Sequence, residues 1–146
     1  MFLLINALIY SVMTHYDIIK INEDGKVDFP EDAVYDLGIL KGAYFLLEIS
    51  LEMKEARLEH IALPGKDLIE VDLVVKDEPG VLSTISGIFA KHNVNILFNE
   101  SEEISTKEAV LVLVLDMSKM DIAVDELRDT LSKREEVLDI SVNDVD

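Results

Sequence analysis

The amino-acid sequence predicts an α+β protein in which a small, mostly-β domain precedes a larger βαββαβ domain. Two observations lead to this prediction. From residue 67 to residue 146, apolar runs with strand or helix periodicity follow one another in the order strand, helix, strand, strand, helix, strand. Before them, an Asp-Gly turn and a Pro-led helix lie between short apolar runs. We therefore expect an apolar segment at residues 1–14, a small domain at 15–64 and a larger domain at 67–146.

The elements of the larger domain follow from their periodicity. Its first strand begins with alternating apolar and acidic residues, and the helix after it repeats apolar residues at helical spacing. Ser118 or Asp121 is expected to cap the second helix. Two βαβ units split in this way are the ferredoxin-like pattern. The predicted elements are a strand at 68–75, a helix at 81–89, a hairpin of strands 96–98 and 109–115 around a polar turn at 100–107, a helix with the apolar face Met120, Val124, Leu127 and Leu131, and a strand at 137–142.

The junction of the first strand with its helix carries the strongest functional signal. Asp77 follows the strand, and Pro79 and Gly80 form the turn. Pro79 has a backbone angle that suits a first helical turn, and Gly80 lets a ligand approach the backbone. Asp77 is expected to accept hydrogen bonds from the free amides of the helix, or to leave those amides to an anionic ligand. A capped helix start without a ligand would use the same residues, so the motif alone leaves both interpretations open.

The Asp-x-Pro-Gly-Val-Leu turn is followed, fifteen positions after its glycine, by Asn95 and Ile96 at the start of a second strand. With this spacing, residues 67–146 resemble an ACT domain, a small regulatory module that binds amino acids in allosteric enzymes and amino-acid-responsive regulators. The resemblance implies that an amino acid or similar zwitterion lies between two copies of the domain. Some serine-binding members have a His where this chain has Val75, so serine is not favoured over other amino acids. The ligand-binding residues implied are Asp77, Pro79, Gly80, Val81, Leu82 and Asn95.

The smaller domain shows a second pattern. In order, the sequence predicts a strand at 16–21, a turn at 22–25 with Gly25 at positive φ, a short strand at 26–29, a helix at 31–37 between Pro30 and Gly38, and a hairpin of strands 43–49 and 56–61. About residues 15–62, this order resembles the SpoVT/AbrB swapped-hairpin domain, in which two chains interlock and the dimer commonly binds DNA. The resemblance implies a homo-oligomer, a dimer or a tetramer. DNA-binding members usually carry an Arg in the helix, whereas this helix opens with Glu31 and Asp32, so DNA binding is possible but disfavoured.

The chain is strongly acidic, with 30 acidic against 13 basic residues and a formal charge of −17. Up to Lys66 there are 6 basic and 11 acidic residues, and after it there are 7 and 19. Such a surface repels phosphate backbones and anionic membrane faces. The absence of cysteine excludes disulfides and fits a cytoplasmic protein. The apolar segment at 1–14 is too short to span a bilayer; it is expected either to pack on an apolar surface or to precede a true start at Met13.

No group of residues indicates catalysis. His15, His60 and His92 lie singly in the sequence, and the acidic run from Asp116 to Asp125 lacks the Gly and Glu of an EF-hand. We therefore expect no catalytic residue, no metal site, no cofactor and no enzyme activity. Three function classes stay open: an amino-acid-sensing regulatory protein, an AbrB-like DNA-binding transcription regulator under ACT control, and a non-sensing assembly or regulatory subunit of an amino-acid biosynthetic enzyme.

Overall fold

The computed structural model describes residues 16–145, and the predicted apolar segment at 1–14 lies outside them. The chain divides into two units between Lys41 and Gly42. The first unit holds helix α1, and the second holds all the strands and the other helices of the described chain. In chain order the elements are α1 (Glu31–Leu37), β1 (Tyr44–Ser50), β2 (Glu55–Ala62), β3 (Leu68–Lys76), α2 (Val81–Lys91), β4 (Asn95–Glu103), β5 (Glu108–Asp116), α3 (Val124–Ser132) and β6 (Val137–Asp144).

The first unit has the predicted turn and helix but not the predicted strands. Gly25 has a φ of 74° in the turn, and the side chain of Asn22 accepts a hydrogen bond of 2.8 Å from the Lys26 N–H. Residues 16–21 and 26–29 form no strand. The backbone bond from the Asn22 N–H to the Lys26 carbonyl, 3.1 Å, is the one ladder-like bond between these segments in the described chain. Two short segments with so little pairing need a further partner to make a stable sheet.

The second unit contains the predicted ferredoxin-like arrangement. Strands β3 to β6 form one antiparallel sheet in the order β4-β5-β3-β6, which places the first and third strands of the βαββαβ pattern at the centre. The register of β3 with β5 pairs Leu68 with Asp116 at one end and Lys76 with Glu108 at the other. The α+β fold class predicted from the sequence is therefore confirmed.

A single core lies between this sheet and its two helices. The side chains from Ile69 to Val75 at alternate positions of β3 are buried, and so are those from Ala109 to Leu115 at alternate positions of β5. Phe89 of α2 and Leu127 of α3 pack on them and are almost fully buried. Each such side chain contributes about 1.5–3 kcal/mol through burial. The other positions of the strands face away from the helices, which leaves the opposite face of the sheet for other contacts.

Strand β4 is longer than predicted. It continues past Phe98 through the acidic residues to Glu103, and the turn shrinks to residues 104–107. Because β4 is an edge strand, its charged side chains reach solvent while its backbone pairs with β5. The Ser105 hydroxyl closes the turn by accepting a bond of 3.1 Å from the Glu108 N–H. Polar composition was therefore a poor guide to the end of this strand.

The predicted caps of the second helix were wrong. Helix α3 begins at Val124 without a side-chain cap. Asp121 instead places its Oδ1 2.9 Å from Nδ1 of His92 at the end of α2, and Ser118 bonds to Asp116. Asp121 thus has a tertiary partner, whereas Ser118 bonds to a residue two positions before it. Of the predicted apolar face, Leu127 and Leu131 are buried and Val124 packs on the core, while Met120 packs on the core from outside the helix.

The β1–β2 hairpin forms a separate two-stranded sheet within the second unit. Tyr44, Ile61 and Ala62 of the hairpin pack with Leu68 and Val114, on the sheet face opposite the helices. The boundary predicted between residues 64 and 67 therefore falls inside one structural unit. Independent folding of 15–64 and 67–146 stays a prediction.

A junction of polar contacts around Asp116 holds in place the segment that connects β2 to β3. The Asp116 carboxylate, with 11% of its side chain exposed, accepts hydrogen bonds from the Ser118 hydroxyl and from the Ser118 N–H at 3.0 Å, and lies 3.5 Å from the Lys66 ammonium. The Asp67 N–H in turn donates to the Ser118 hydroxyl oxygen at 3.2 Å. Burial raises the pKa of Asp116, but the bonds from Ser118 and the charge of Lys66 outweigh it and hold the pKa below its ordinary value of 3.8.

This junction predicts a pH-dependent contribution to stability. Because the folded pKa of Asp116 lies below the unfolded one, its contribution is present above the unfolded pKa and is lost as the pH falls through the folded pKa. The Asp116→Asn variant should therefore be less stable than wild type at pH 7, and the difference should shrink below about pH 4. Urea unfolding of both proteins across this range measures it, with the exposed Asp125→Asn as control. A pH-independent difference would contradict the assignment.

Candidate functional site

The predicted turn lies between the end of β3 and the start of α2. Gly80 is the residue before the helix and adopts the left-handed conformation, with φ 88°. A Cβ added at Gly80 would meet no atom within 4 Å. Glycine is therefore required by the backbone conformation and not by a lack of space. Pro79 precedes this cap residue and is outside the helix, so its predicted place in the first turn was wrong.

Two amides in the first turn of α2 are left without protein partners. The Thr84 N–H donates to the Gly80 carbonyl at 3.0 Å, and the Val81 N–H donates to Glu78 at 3.4 Å. Within the described residues, the N–H groups of Leu82 and Ser83 have no acceptor, and no side chain caps the helix. Asp77 thus does not cap α2. Of the two roles predicted for Asp77, the structure fits the one in which the amides stay free for an anion.

A cavity of about 370 Å³, here called the Asp77 cavity, opens beside this turn. Its apolar lining comes from the buried Val75, Val81 and Leu111, together with Leu82, which is 51% exposed. Asp77 lies on the polar part of the lining. The cavity therefore combines a carboxylate with an apolar wall, and it lies beside the helix start that leaves two amides free.

The rim of the Asp77 cavity is acidic. Glu78, Glu102 and Glu103 join Asp77 there, and Lys76 is the one cation among the lining residues. The Lys76 ammonium is bound to Glu135 at 3.2 Å, which neutralises part of its charge. Sequence analysis missed the two β4 glutamates, because their position beside the turn follows from the pairing of β4 with β5. A prediction of that register would have found them.

Asn95 is far from the other predicted residues of the same chain. Asn95 pairs with Asp116 of β5, and Asp116 pairs on its other side with Leu68, the first residue of β3. Asp77 directly follows the other end of β3. At the rise of a β-strand, this separation is about 30 Å. One chain therefore brings together Asp77, Pro79, Gly80, Val81 and Leu82 but not Asn95. The same-chain form of the prediction is therefore ruled out, and the form in which another copy supplies Asn95 stays a prediction.

A second depression, of about 500 Å³, lies on the other side of the turn and includes Lys76, Asp77, Thr106 and Lys107. The Asp77 N–H donates to the Lys107 carbonyl at 2.8 Å, which ties the β4–β5 turn to the end of β3. Residues 16–145 contain no cluster of His, Asp or Glu side chains that would hold a metal ion. None of their helices is long and apolar enough to cross a membrane.

The fold and the turn together define an ACT domain, whose family model matches residues 69–132. The chain belongs to the UPF0237 family. It is 33% identical over 72 residues to a UPF0237 protein of Methanopyrus kandleri, a match that covers 49% of this chain and 79% of that protein. A UPF0237 protein of Pyrobaculum aerophilum is 32% identical over 76 residues, covering 52% and 83% respectively.

Among solved structures, the ACT domain from the GTP pyrophosphokinase of Chlorobium tepidum matches with a TM-score of 0.44 and 19% identity. The match covers 53% of this chain and 99% of that domain. The ACT resemblance stated from the sequence is therefore confirmed by the family model. The SpoVT/AbrB resemblance of residues 15–62 remains a prediction.

Proposed function

We propose that this protein is an amino-acid-sensing regulatory protein that acts by binding a ligand and not by catalysis. The observation that carries the proposal is the pair of unpaired amides, Leu82 and Ser83, beside a cavity whose lining includes Asp77. An amino acid needs both groups, since its carboxylate is an acceptor and its ammonium is a donor. The cavity lies in the ACT domain, the module that the family model identifies. A cytoplasmic location and the absence of a cofactor remain expectations.

The cavity offers a place for each part of the ligand. The ligand carboxylate accepts from the Leu82 and Ser83 amides at the positive end of the helix dipole. Its ammonium pairs with Asp77, in a charge-assisted hydrogen bond. Its side chain lies on the apolar wall of Val75 and Val81. Asn95 of a second copy completes the site, because the amide can both donate and accept.

The charge of the rim favours some amino acids over others. Asp77, Glu78, Glu102 and Glu103 repel a ligand side chain that is itself a carboxylate. The proposal therefore excludes aspartate and glutamate as the preferred ligands. It favours amino acids with neutral or basic side chains.

The proposal is tested by thermal unfolding of the purified protein with each of the twenty amino acids. A ligand at one hundred times its dissociation constant stabilises the folded state by about 2.7 kcal/mol, which raises the unfolding midpoint by several degrees. For the best amino acid, the amide derivative that lacks the carboxylate and the N-acetyl derivative that lacks the ammonium are the controls. Stabilisation by the zwitterion alone supports the proposal. If no amino acid stabilises the protein, the non-sensing assembly subunit is the correct function class.

The assembly expected from the sequence is at least a homodimer. In the hairpin, Leu47 and Ile49 lie on the same face of β1 and are 57% and 60% exposed. An isolated two-stranded hairpin with an exposed apolar face is marginally stable in water, so a second copy should cover it. Light scattering at micromolar concentration should give at least twice the 16.4 kDa of the chain. The Leu47→Glu/Ile49→Glu variant should be smaller than wild type, whereas Leu138→Glu, also on an exposed leucine, should not.

Wild type running as a monomer would contradict the dimer. The DNA-binding alternative is checked in the same preparation by fluorescence anisotropy with mixed-sequence duplex DNA. Helix α1 opens with two acidic residues, Glu31 and Asp32, which disfavour a phosphate at that end. We expect no complex below about micromolar concentration at physiological salt, weaker than the range of specific DNA complexes. A salt-sensitive nanomolar complex would favour the transcription regulator.

A further inference from the structure

The sheet of the ACT domain has a second face, here called the open face, which is turned away from α2 and α3. The hairpin covers one end of it through the cluster that contains Leu68 and Val114. Beyond that end, the register places Asp72 of β3 between Val112 of β5 and Ser141 of β6. Glu100 of the edge strand β4 pairs with Val112 on its other side. Antiparallel partners point to the same side of a sheet, so these residues form one row across the open face.

The open face combines apolar and acidic side chains. Val74, Val110 and Val112 are only partly buried along the central strands. None of the acidic residues of this face beyond the hairpin has an ion pair with a described residue. These acidic residues are Glu70, Asp72, Glu100, Glu102, Glu108 and Asp139. Lys76 lies on the same face and is bound to Glu135.

Asp72 is the most informative of them. Its Oδ1 atom is enclosed, and it accepts no hydrogen bond from any residue between 16 and 145. An enclosed acceptor without a donor destabilises the free protein, and a β-branched side chain such as valine suits a central strand better. A carboxylate at position 72 therefore destabilises the isolated chain, and no contact of the described residues compensates for this.

We propose that the open face docks a basic polypeptide segment of another protein, with apolar residues between its lysines or arginines. A lysine or arginine from that segment pairs with the unpaired carboxylates of the face, Glu70 and Asp72 among them, and its apolar residues cover the valines. Complementary charge of this kind guides association and excludes wrong partners. The row that contains Asp72 lies apart from the Asp77 cavity, with which the open face shares Glu102, and the two proposals are tested by different variants.

Other occupants fit the charge of the open face poorly. A second copy packed face to face would bring two acidic patches together, because an isologous contact uses the same patch on both subunits. Nucleic acid and anionic membrane surfaces carry the same sign of charge as the face. Spacing also favours an extended segment: side chains on one side of β3 repeat about every 6.6 Å, as they do in any strand laid along it.

Binding is tested by NMR titration of the full chain with a short peptide of alternating lysine and valine, against a glutamate–valine peptide as control. Amide shifts should change at residues 70–74 and 110–112 and stay constant on α3. The Glu70→Gln/Asp72→Asn variant should bind the basic peptide at least about tenfold more weakly. The matched Glu126→Gln/Asp129→Asn variant on α3 loses the same charge and should bind within about twofold of wild type. Equal weakening of both variants, shifts spread over the whole surface, or no binding would overturn the proposal.

A second measurement needs no partner. Because the enclosed Oδ1 of Asp72 destabilises the free protein, Asp72→Val, which removes both oxygens and suits a central strand, should raise the midpoint of thermal unfolding by about 2–5 °C. The exposed Asp129→Asn should leave it within about a degree. An unchanged or lower midpoint for Asp72→Val would mean that the carboxylate supports the fold by itself, and the docking assignment would be wrong.

Discussion

The Asp77→Ala variant is expected to bind its amino acid about 10 to 150 times more weakly than wild type, which corresponds to the 1.5–3 kcal/mol of a hydrogen bond to a charged group. The reason is that Asp77 is the carboxylate next to the unpaired amides of α2, on the lining of the cavity. Without it, the ligand ammonium would lose its counter-charge while the ligand carboxylate kept its amides. Isothermal titration calorimetry of both proteins with the amino acid chosen by the thermal screen measures the ratio.

Two further variants show whether the weaker binding comes from the lost charge of Asp77 or from a general effect of removing a carboxylate. Asp77→Asn keeps the shape of the side chain and removes its charge, so it should lose most of the affinity that Asp77→Ala loses. Asp125→Ala removes an exposed carboxylate from α3, outside the cavity, and should bind like wild type. Equal affinities for all four proteins would place the site elsewhere. Substitution of Gly80 is a less clean probe, because its φ of 88° would strain any other residue.

The Phe89→Ala variant is expected to lose about 3–5 kcal/mol of unfolding free energy, the largest effect on stability that we predict. Phe89 is fully buried between α2 and the sheet, where it packs with residues of β3, β5 and α3. Its removal leaves a cavity that the sheet cannot fill by collapsing. Urea unfolding at pH 7 measures the loss. The exposed Leu138→Ala should change the free energy by less than about 1 kcal/mol.

A loss as large as 5 kcal/mol can leave a small domain unfolded. Ile85→Val provides the milder comparison: Ile85 is also buried on α2, and the loss of one methylene should cost about 0.5–1.5 kcal/mol. If Phe89→Ala unfolds and Ile85→Val falls in this range, the core is as described. A Phe89→Ala loss below about 1 kcal/mol would contradict it.

Much of the ACT fold could be predicted from local periodicity. Alternation in β3 and helical spacing in α2 depend on the residues of each element alone, and both were correct. The end of β4 could not be predicted in this way, because an edge strand tolerates charged residues that look like a turn. The cap at Asp121 failed because its side chain bonds to His92, which is a neighbour only in the folded chain. The cap at Ser118 failed because its side chain bonds to Asp116, two residues before it.

The site residues that could be predicted are those that lie close together along the chain. Asp77, Gly80 and Leu82 lie within one turn of chain, so their spacing indicated their proximity. Glu102 and Glu103 reach the cavity through the sheet register, which the periodicity of a single segment does not contain. The prediction for residues 16–21 and 26–29 was wrong for a different reason. Their alternation is that of strands, but the chain by itself does not pair them.

If the proposed site is correct, the position of Asn95, at the far end of the sheet from Asp77, would link ligand affinity to protein concentration. A site that needs Asp77 from one chain and Asn95 from another does not exist in a monomer, so dimerisation contributes to the measured affinity. Dilution below the dimer dissociation constant should weaken binding, and ligand should in turn strengthen the dimer by the same free energy. A two-fold symmetric pair would form two such sites at once. The first ligand would then favour the second by holding the pair together, even if the two sites never touch.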